Sequence, residues 1–254
     1  MTILESEKDI AALREGGKIL ASVLNEVARR VAPGVAAADL DALAEKLIRE
    51  AGAEPSFKNY KTPDDKIPYP ASLCVSVNDE VVHGIPDQKI FQEGDVVGLD
   101  LGLKYKGFYT DSAVTALAGK ADTESLRLVE TAKKSLAKGI SVVKDGARIG
   151  DIGFAVQSRA EKDGFGVVRK LVGHGLGRKV HEGPQVPNFG SRGSGMALKK
   201  GLVLAIEPMI TAGDSDVYLD DDLWTWKTKD RSLAAHFEHT VIVTENGAEI
   251  ITKL

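Results

Sequence analysis

"VGLDLGLKYKGFYTDSA", residues 97–113, places two aspartates, Asp100 and Asp111, at matching points of two apolar runs. The runs are separated by Lys104-Tyr105-Lys106-Gly107. Such a pattern reads as a β-hairpin with Tyr105-Lys106 as its loop, Lys104 opposite Gly107 and Asp100 opposite Asp111. Directly opposed residues bring their Cβ atoms to roughly 4.5–5.5 Å, and like charges there destabilise a sheet. Two facing carboxylates in an apolar hairpin call for positive charge between them.

The stretch that enters this hairpin has a second copy. "FQEGDVVGLD" (91–100) aligns with "LKKGLVLAIE" (198–207), pairing Gly94 with Gly201, Leu99 with Ile206 and Asp100 with Glu207. Upstream, "PGVAAADLDALAEKLIREAG" (33–52) aligns with "DGARIGDIGFAVQSRAEKDG" (145–164) in the same order. Each of these copies reads as a turn glycine, an aspartate helix cap (Asp39, Asp151), an amphipathic helix and a glycine stop. Helices are expected near 7–31 and 38–51, with strands from about 73, then near 123–138 and 150–163, with strands from about 168. The expectation is an α+β fold with a strongly curved antiparallel sheet and helices outside. Residues 1–254 would form a single domain of two pseudo-symmetric halves, about 7–117 and about 121–252. A ligand site belongs in the cleft between them.

Composition narrows the function. The chain has 254 residues, 28% charged, with a net charge of −4 and no basic run, so nothing marks a nucleic-acid footprint. The lone cysteine, Cys74, excludes an intrachain disulfide and suits a reducing compartment. The first residues, "MTILESEKDIAALREGG", lack an apolar secretory core. No apolar run approaches membrane-spanning length. A soluble, cytoplasmic protein is expected, with neither nucleic acid nor membrane as partner.

Four carboxylates interrupt apolar runs: Asp100 in "VVGLDLGL", Asp111 in "FYTDSAV", Glu207 in "LVLAIEPMI" and Glu238 in "HFEHTVIV". An ionised carboxylate in such surroundings is costly unless paired or bound to metal, and no arginine falls in any of the four runs. His174, in "LVGHGLGRKVHEGP", adds an imidazole flanked by glycines. Oxygen and nitrogen donors without a thiolate suit Mn, Fe, Co or Zn. Two ions roughly 3.5–4 Å apart would turn a like-charge clash into shared coordination. If 237–243 is a strand, Glu238 and Thr240 share one face and His239 points the other way. His236 then sits at the strand entrance as a peripheral residue. Cys74 reads as a small apolar strand residue, and "GHGLG" does not match a dinucleotide fingerprint.

The ordered set "SVNDEVVHGIP", "GDVVGLDLG", "TDSA", "GHGLGRKVHEGPQVPN", "AIEPM" and "WTWKTKDRSLAAHFEHTVIVT" resembles the type I methionine aminopeptidases, which have the pita-bread fold. The resemblance covers nearly the whole chain. It implies two divalent ions (Co, Mn, Fe or Zn) on Asp100, Asp111, His174, Glu207 and Glu238. Asp111 and Glu238 would be shared, Asp100 would complete one ion, and His174 with Glu207 the other. It further implies a hydroxide between the ions that attacks the carbonyl after the first residue, with Glu207 carrying the proton to the leaving amine. His83 would lie near the substrate amine and leaving nitrogen, and His181 would steady the tetrahedral intermediate. Phe57, Tyr60, Tyr69, Cys74 and Trp224 would line the methionine pocket. The implied substrates are N-terminal methionine peptides and nascent chains, with the ribosome as a further partner and the chain a monomer.

Two other readings share the fold: X-Pro peptidases, which carry a large extra N-terminal domain, and non-catalytic peptide-binding relatives that lack the ligands. A di-iron oxidase would instead need Glu-x-x-His pairs on bundled helices. Three departures from the family pattern stand out. The link "YKTPDDKIPYP" is long, so the 61–68 loop bears on the pocket lining; Val180 precedes His181 where an aromatic is common; and Gly183 stands where a second acid is frequent.

Overall fold

The computed structural model describes residues 1–63 and 65–253. Helices α1 (Glu7–Ala28) and α2 (Ala37–Glu50) precede one set of strands, and α3 (Thr123–Ser141) and α4 (Ile149–Lys162) precede another. Each helix buries one stripe spaced three or four residues apart, such as Leu40, Ala44 and Ile48 in α2. The aspartates expected as caps are not caps: the N-cap positions fall on Ala36 and Arg148. Asp39 and Asp151 lie inside the first turn, where a carboxylate still favours the positive end of the helix. Asp151 reaches back to accept the Arg148 N–H at 2.9 Å and also takes that of Gly193 at 2.7 Å. The aligned glycines Gly34 and Gly146, Gly52 and Gly164, and Gly94 and Gly201 all adopt positive φ, so the two copies turn alike.

The hairpin of Val96–Tyr105 and Phe108–Leu117 forms, but two residues out of the expected register. Tyr105 pairs with Phe108, Asp100 with Ala113, and Asp111 with Gly102. The loop is Lys106-Gly107, with φ of 47° and 84°. A two-residue loop of this kind needs positive φ at both positions, which favours glycine at the second and sets the register. A slip of two residues leaves every side chain on its own face. Asp100 and Asp111 are therefore diagonal neighbours on one face instead of directly opposed.

That hairpin is buried on both sides. Val97, Leu99, Leu101 and Leu103 pack with Leu20, Leu24 and Val27 of α1 and Leu40 and Ile48 of α2. A fully buried side chain of this size contributes roughly 1.5–3 kcal/mol. The alternate positions, Gly98, Asp100 and Gly102, face the cleft. The second half repeats the arrangement, with Leu128 and Ala132 of α3 and Ile152 of α4 packed on Leu204, Ile206, Val241 and Val243.

Among the described residues four antiparallel sheets form, and two of them meet end to end at a bend. Strands Val203–Ile206 and Met209–Thr211 are interrupted only by Glu207-Pro208, and strands Ala234–His236 and His239–Val243 only by Phe237-Glu238. The breaks oppose each other, because Ile206 pairs with His239 and Met209 with His236. Strand 237–243 thus starts two residues later than expected, and neither Glu207 nor Glu238 lies within a continuous strand. Pro208 has no N–H to give to the ladder, so pairing lapses and the sheet bends. The halves are sewn together at this bend: the Ser112 hydroxyl donates to the Glu238 carbonyl at 2.8 Å, and the Glu238 N–H donates to the Ala113 carbonyl at 2.9 Å. Among the described residues, no helix is long and apolar enough to cross a membrane.

Candidate active site and metal centre

A single cavity in the cleft is lined by Asp100, Asp111, His174, Glu207 and Glu238, by His83 and His181, and by Phe57, Tyr60, Tyr69, Cys74 and Trp224. All the residues singled out in the sequence for ligand, catalytic or pocket roles therefore meet in one place. The first half contributes Asp100 and Asp111 from the hairpin face. The second contributes His174 from strand Val172–Gly175 and Glu207 and Glu238 from the opposed breaks. Glycines flank His174 because neighbouring backbone comes too close for a side chain. A Cβ at Gly173 would lie 2.5 Å from the Ala205 carbonyl oxygen, a distance real Cβ atoms essentially never show.

The donor set fits divalent metal. Ligand atoms of Asp111, His174 and Glu238 lie within 4.8 Å of one another. Oδ1 of Asp100, Oδ1 of Asp111 and Oε1 of Glu238 are buried without a hydrogen-bond partner, a state that a native protein does not leave uncompensated. Burial, joined by the neighbouring carboxyls, pushes Asp111 and Glu238 well above the usual carboxylate range. Burial raises Asp100 to about 6 and Glu207 to about 8. Dications are the charges that would return four such groups to their ionised form. His174 Nδ1–H donates to the Gly175 carbonyl at 2.9 Å, which leaves Nε2 as the free donor, 3.6 Å from Glu207 Oε1. Burial and the adjacent His181 lower its pKa to about 3, so the ring is neutral, as a ligand must be.

The remaining polar groups lie beside this cluster. The His181 ring sits 4.3 Å from that of His174, and its Nδ1 shares a 2.6 Å hydrogen bond with the Tyr60 hydroxyl. His83 holds a left-handed backbone with φ of 59°, and its ring lies edge-on to Trp224 at 6.4 Å. Burial takes both histidines down to about 4. Phe57, Tyr69, Cys74, Val180 and Trp224 form an apolar cluster against which Tyr60 packs. Burial pushes the Cys74 thiol well up, so it is a neutral wall of the slot. The long 61–68 link does not spoil this wall. The Asn59 N–H bonds the Tyr69 carbonyl at 2.8 Å and the Tyr69 N–H the Tyr60 carbonyl at 2.9 Å, closing the loop at its base. Asp64 of that loop lies outside the described residues.

Two neighbours carry more weight than the sequence reading allowed. His236 is buried, not peripheral, with Nε2 3.6 Å from Glu207 Oε2. Its signal was the alternation that puts it on the Glu238 side of the strand. Thr240 bonds the backbone of Asp111, and nothing local in the sequence marks it.

The metallopeptidase family M24 matches residues 11–245 of this chain. The chain belongs to that family. The M24 member described here is 46% identical over 256 residues to a methionine aminopeptidase of Aquifex aeolicus, covering 99% of this chain and 98% of that one. It is 41% identical to methionine aminopeptidase 1 of Bacillus subtilis, with both chains covered in full. The crystal structure of methionine aminopeptidase from Thermotoga maritima superposes with a TM-score of 0.95 at 43% identity, again over the whole of both chains. The prolidase of Pyrococcus furiosus shares the fold, with a TM-score of 0.77 at 20% identity and 66% of its length covered. The pita-bread architecture is thus the fold of this M24 chain.

Proposed function

We propose that this M24 chain, acting as one catalytic domain, removes the N-terminal methionine from peptides and nascent proteins in the cytoplasm. One observation carries the reading. One cavity joins a wall of four largely buried carboxyls and a neutral imidazole to a slot of Phe57, Tyr69, Cys74 and Trp224. Near-full-length relatives that carry the methionine aminopeptidase name support it. Asp100, Asp111, His174, Glu207 and Glu238 would hold two divalent ions, of Mn, Fe, Co or Zn. When bound, such ions supply Lewis acidity and a water deprotonated near neutral pH.

The chain's own groups do the rest. The aromatic slot takes an unbranched thioether, with sulfur–aromatic contacts adding modestly. His181, oriented by Tyr60, would donate a hydrogen bond to the oxygen of the scissile carbonyl as charge builds there. His83, on the Trp224 side, would lie beside the substrate amine. Glu207, whose proton affinity is raised by burial, is suited to pass a proton to the leaving nitrogen. We assign the ribosome-borne nascent chain as its physiological substrate and the monomer as its working form.

The test is to incubate metal-free protein with Met-Ala-Ser and Ala-Pro-Ala, with and without each metal. Methionine release that depends on metal is the expected result. Cleavage before proline instead would move the chain to the X-Pro branch of the fold.

A further inference from the structure

Beside the catalytic cavity lies a second hollow of about 310 Å³. Tyr60 and His181 line both, so the hydrogen-bonded pair they form is a wall common to the two. Beyond that wall the hollow is edged by Glu54, Lys104, Tyr109 and Lys179. Lys104 is half-buried with Nζ 5.7 Å above the Tyr109 ring, whereas Lys179 is exposed. Among the described residues neither ammonium group has an ion-pair partner. Glu54 stands directly across from Lys104 in the strand register, yet its carboxylate does not close an ion pair with it. Its lining sets two ammonium groups against one carboxylate, in a chain whose net charge is negative, with the Asp65 carboxylate also close enough to act on Tyr60 and His181.

We propose that this hollow receives the third and fourth residues of the substrate, and that Lys104 and Lys179 make it selective for acidic side chains there. The inference rests on the methionine-releasing function proposed above. With the first side chain in the aromatic slot and the scissile carbonyl at the carboxyl cluster, the second residue lies along His181 and Tyr60. An extended chain advances about 3.3–3.6 Å per residue and its successive side chains point to opposite sides, which carries the next two residues past that pair and turns one of their side chains into the hollow. Its charge acts at a distance from the reacting atoms, so it discriminates between substrates without entering the chemistry.

The test compares kcat/KM of the metal-loaded enzyme for Met-Ala-Asp-Asp, Met-Ala-Ser-Ser and Met-Ala-Lys-Lys. At low ionic strength the acidic peptide should exceed the basic one by roughly three- to tenfold, the range of partly exposed charge pairs. The ratio should collapse towards unity at about 1 M salt, where the Debye length is about 3 Å. The double variant Lys104→Glu, Lys179→Glu should invert it. Equal kcat/KM for the three peptides, or a ratio indifferent to salt and to charge reversal, overturns the inference and leaves the function standing. Failure to release methionine from any of the three overturns the function and the inference together. Should the double variant not fold, the salt dependence of the unaltered enzyme decides alone.

Discussion

The Thr240 hydroxyl satisfies both backbone groups of Asp111: it accepts the N–H at 2.9 Å and donates to the carbonyl at 2.8 Å. One residue of the second half thereby sets the position of a candidate ligand from the first. Thr240→Val keeps the shape and removes both bonds, leaving two buried backbone groups unpaired at roughly 1–3 kcal/mol each. We expect weaker metal binding and turnover lower by about tenfold or more, with Thr240→Ser restoring most of both. Metal titration by calorimetry beside methionine-release kinetics checks it, and equal values for the Val and Ser variants would count against it.

Asp111→Asn should leave the far-UV circular dichroism unchanged while abolishing activity and metal binding. The same variant separates binding from folding. A ligand present at 100 times its dissociation constant stabilises by about 2.7 kcal/mol, so excess Mn or Co should raise the melting midpoint of the unaltered chain and leave the Asn variant where it was. A midpoint that rises equally in both would remove Asp111 from the centre.

Tyr60→Phe removes the partner of His181 Nδ1 and leaves the aromatic wall in place. The expected outcome is a fall in kcat of roughly tenfold, the loss of about one good hydrogen bond, with bound metal unchanged. Metal content by elemental analysis, set against kcat and KM, tests it. Depleted metal would place Tyr60 in the ligand shell instead.

Glu45 links α2 to its surroundings through Lys58 at 2.7 Å and Ser72 at 3.1 Å, and pairs within the helix with Arg49 at 2.9 Å. Hydrogen bonds from Lys58 and then Arg49 bring its pKa from 4.5 to about 2. A carboxyl lowered on folding stabilises the native state above its unfolded pKa and loses that contribution as pH falls towards the folded value. The stability gap between the unaltered chain and Glu45→Gln should be full at pH 6 and shrink between about 4.5 and about 2. Urea midpoints at several pH values measure it, and a gap that does not change with pH would refute the assignment.

The carboxyl cluster was legible because a charge in an apolar run has few physical excuses, and Asp100, Asp111, Glu207 and Glu238, which all break such runs, line one cavity. The helices were legible from their spacing and from glycines at their ends. The hairpin register lies two residues from the one the polar break suggests, because Lys106-Gly107 is the pair that adopts positive φ at both positions. Even so, the period of two kept Asp100 and Asp111 on one face. Glu207 and Glu238 sit in apolar runs that suggest continuous strands, but Pro208 interrupts the ladder there. His236 was underrated, and Thr240 was invisible as a partner of Asp111, because its bond spans 129 residues and no local pattern encodes a contact that distant.

The bend at Glu207-Pro208 and Phe237-Glu238 also governs how the molecule can fail. Two donors come from before residue 117 and three from after residue 172, so neither part alone owns a complete set. Prising the seam open would disperse these five side chains. A damaged copy would then fall silent as a hydrolase instead of cutting indiscriminately.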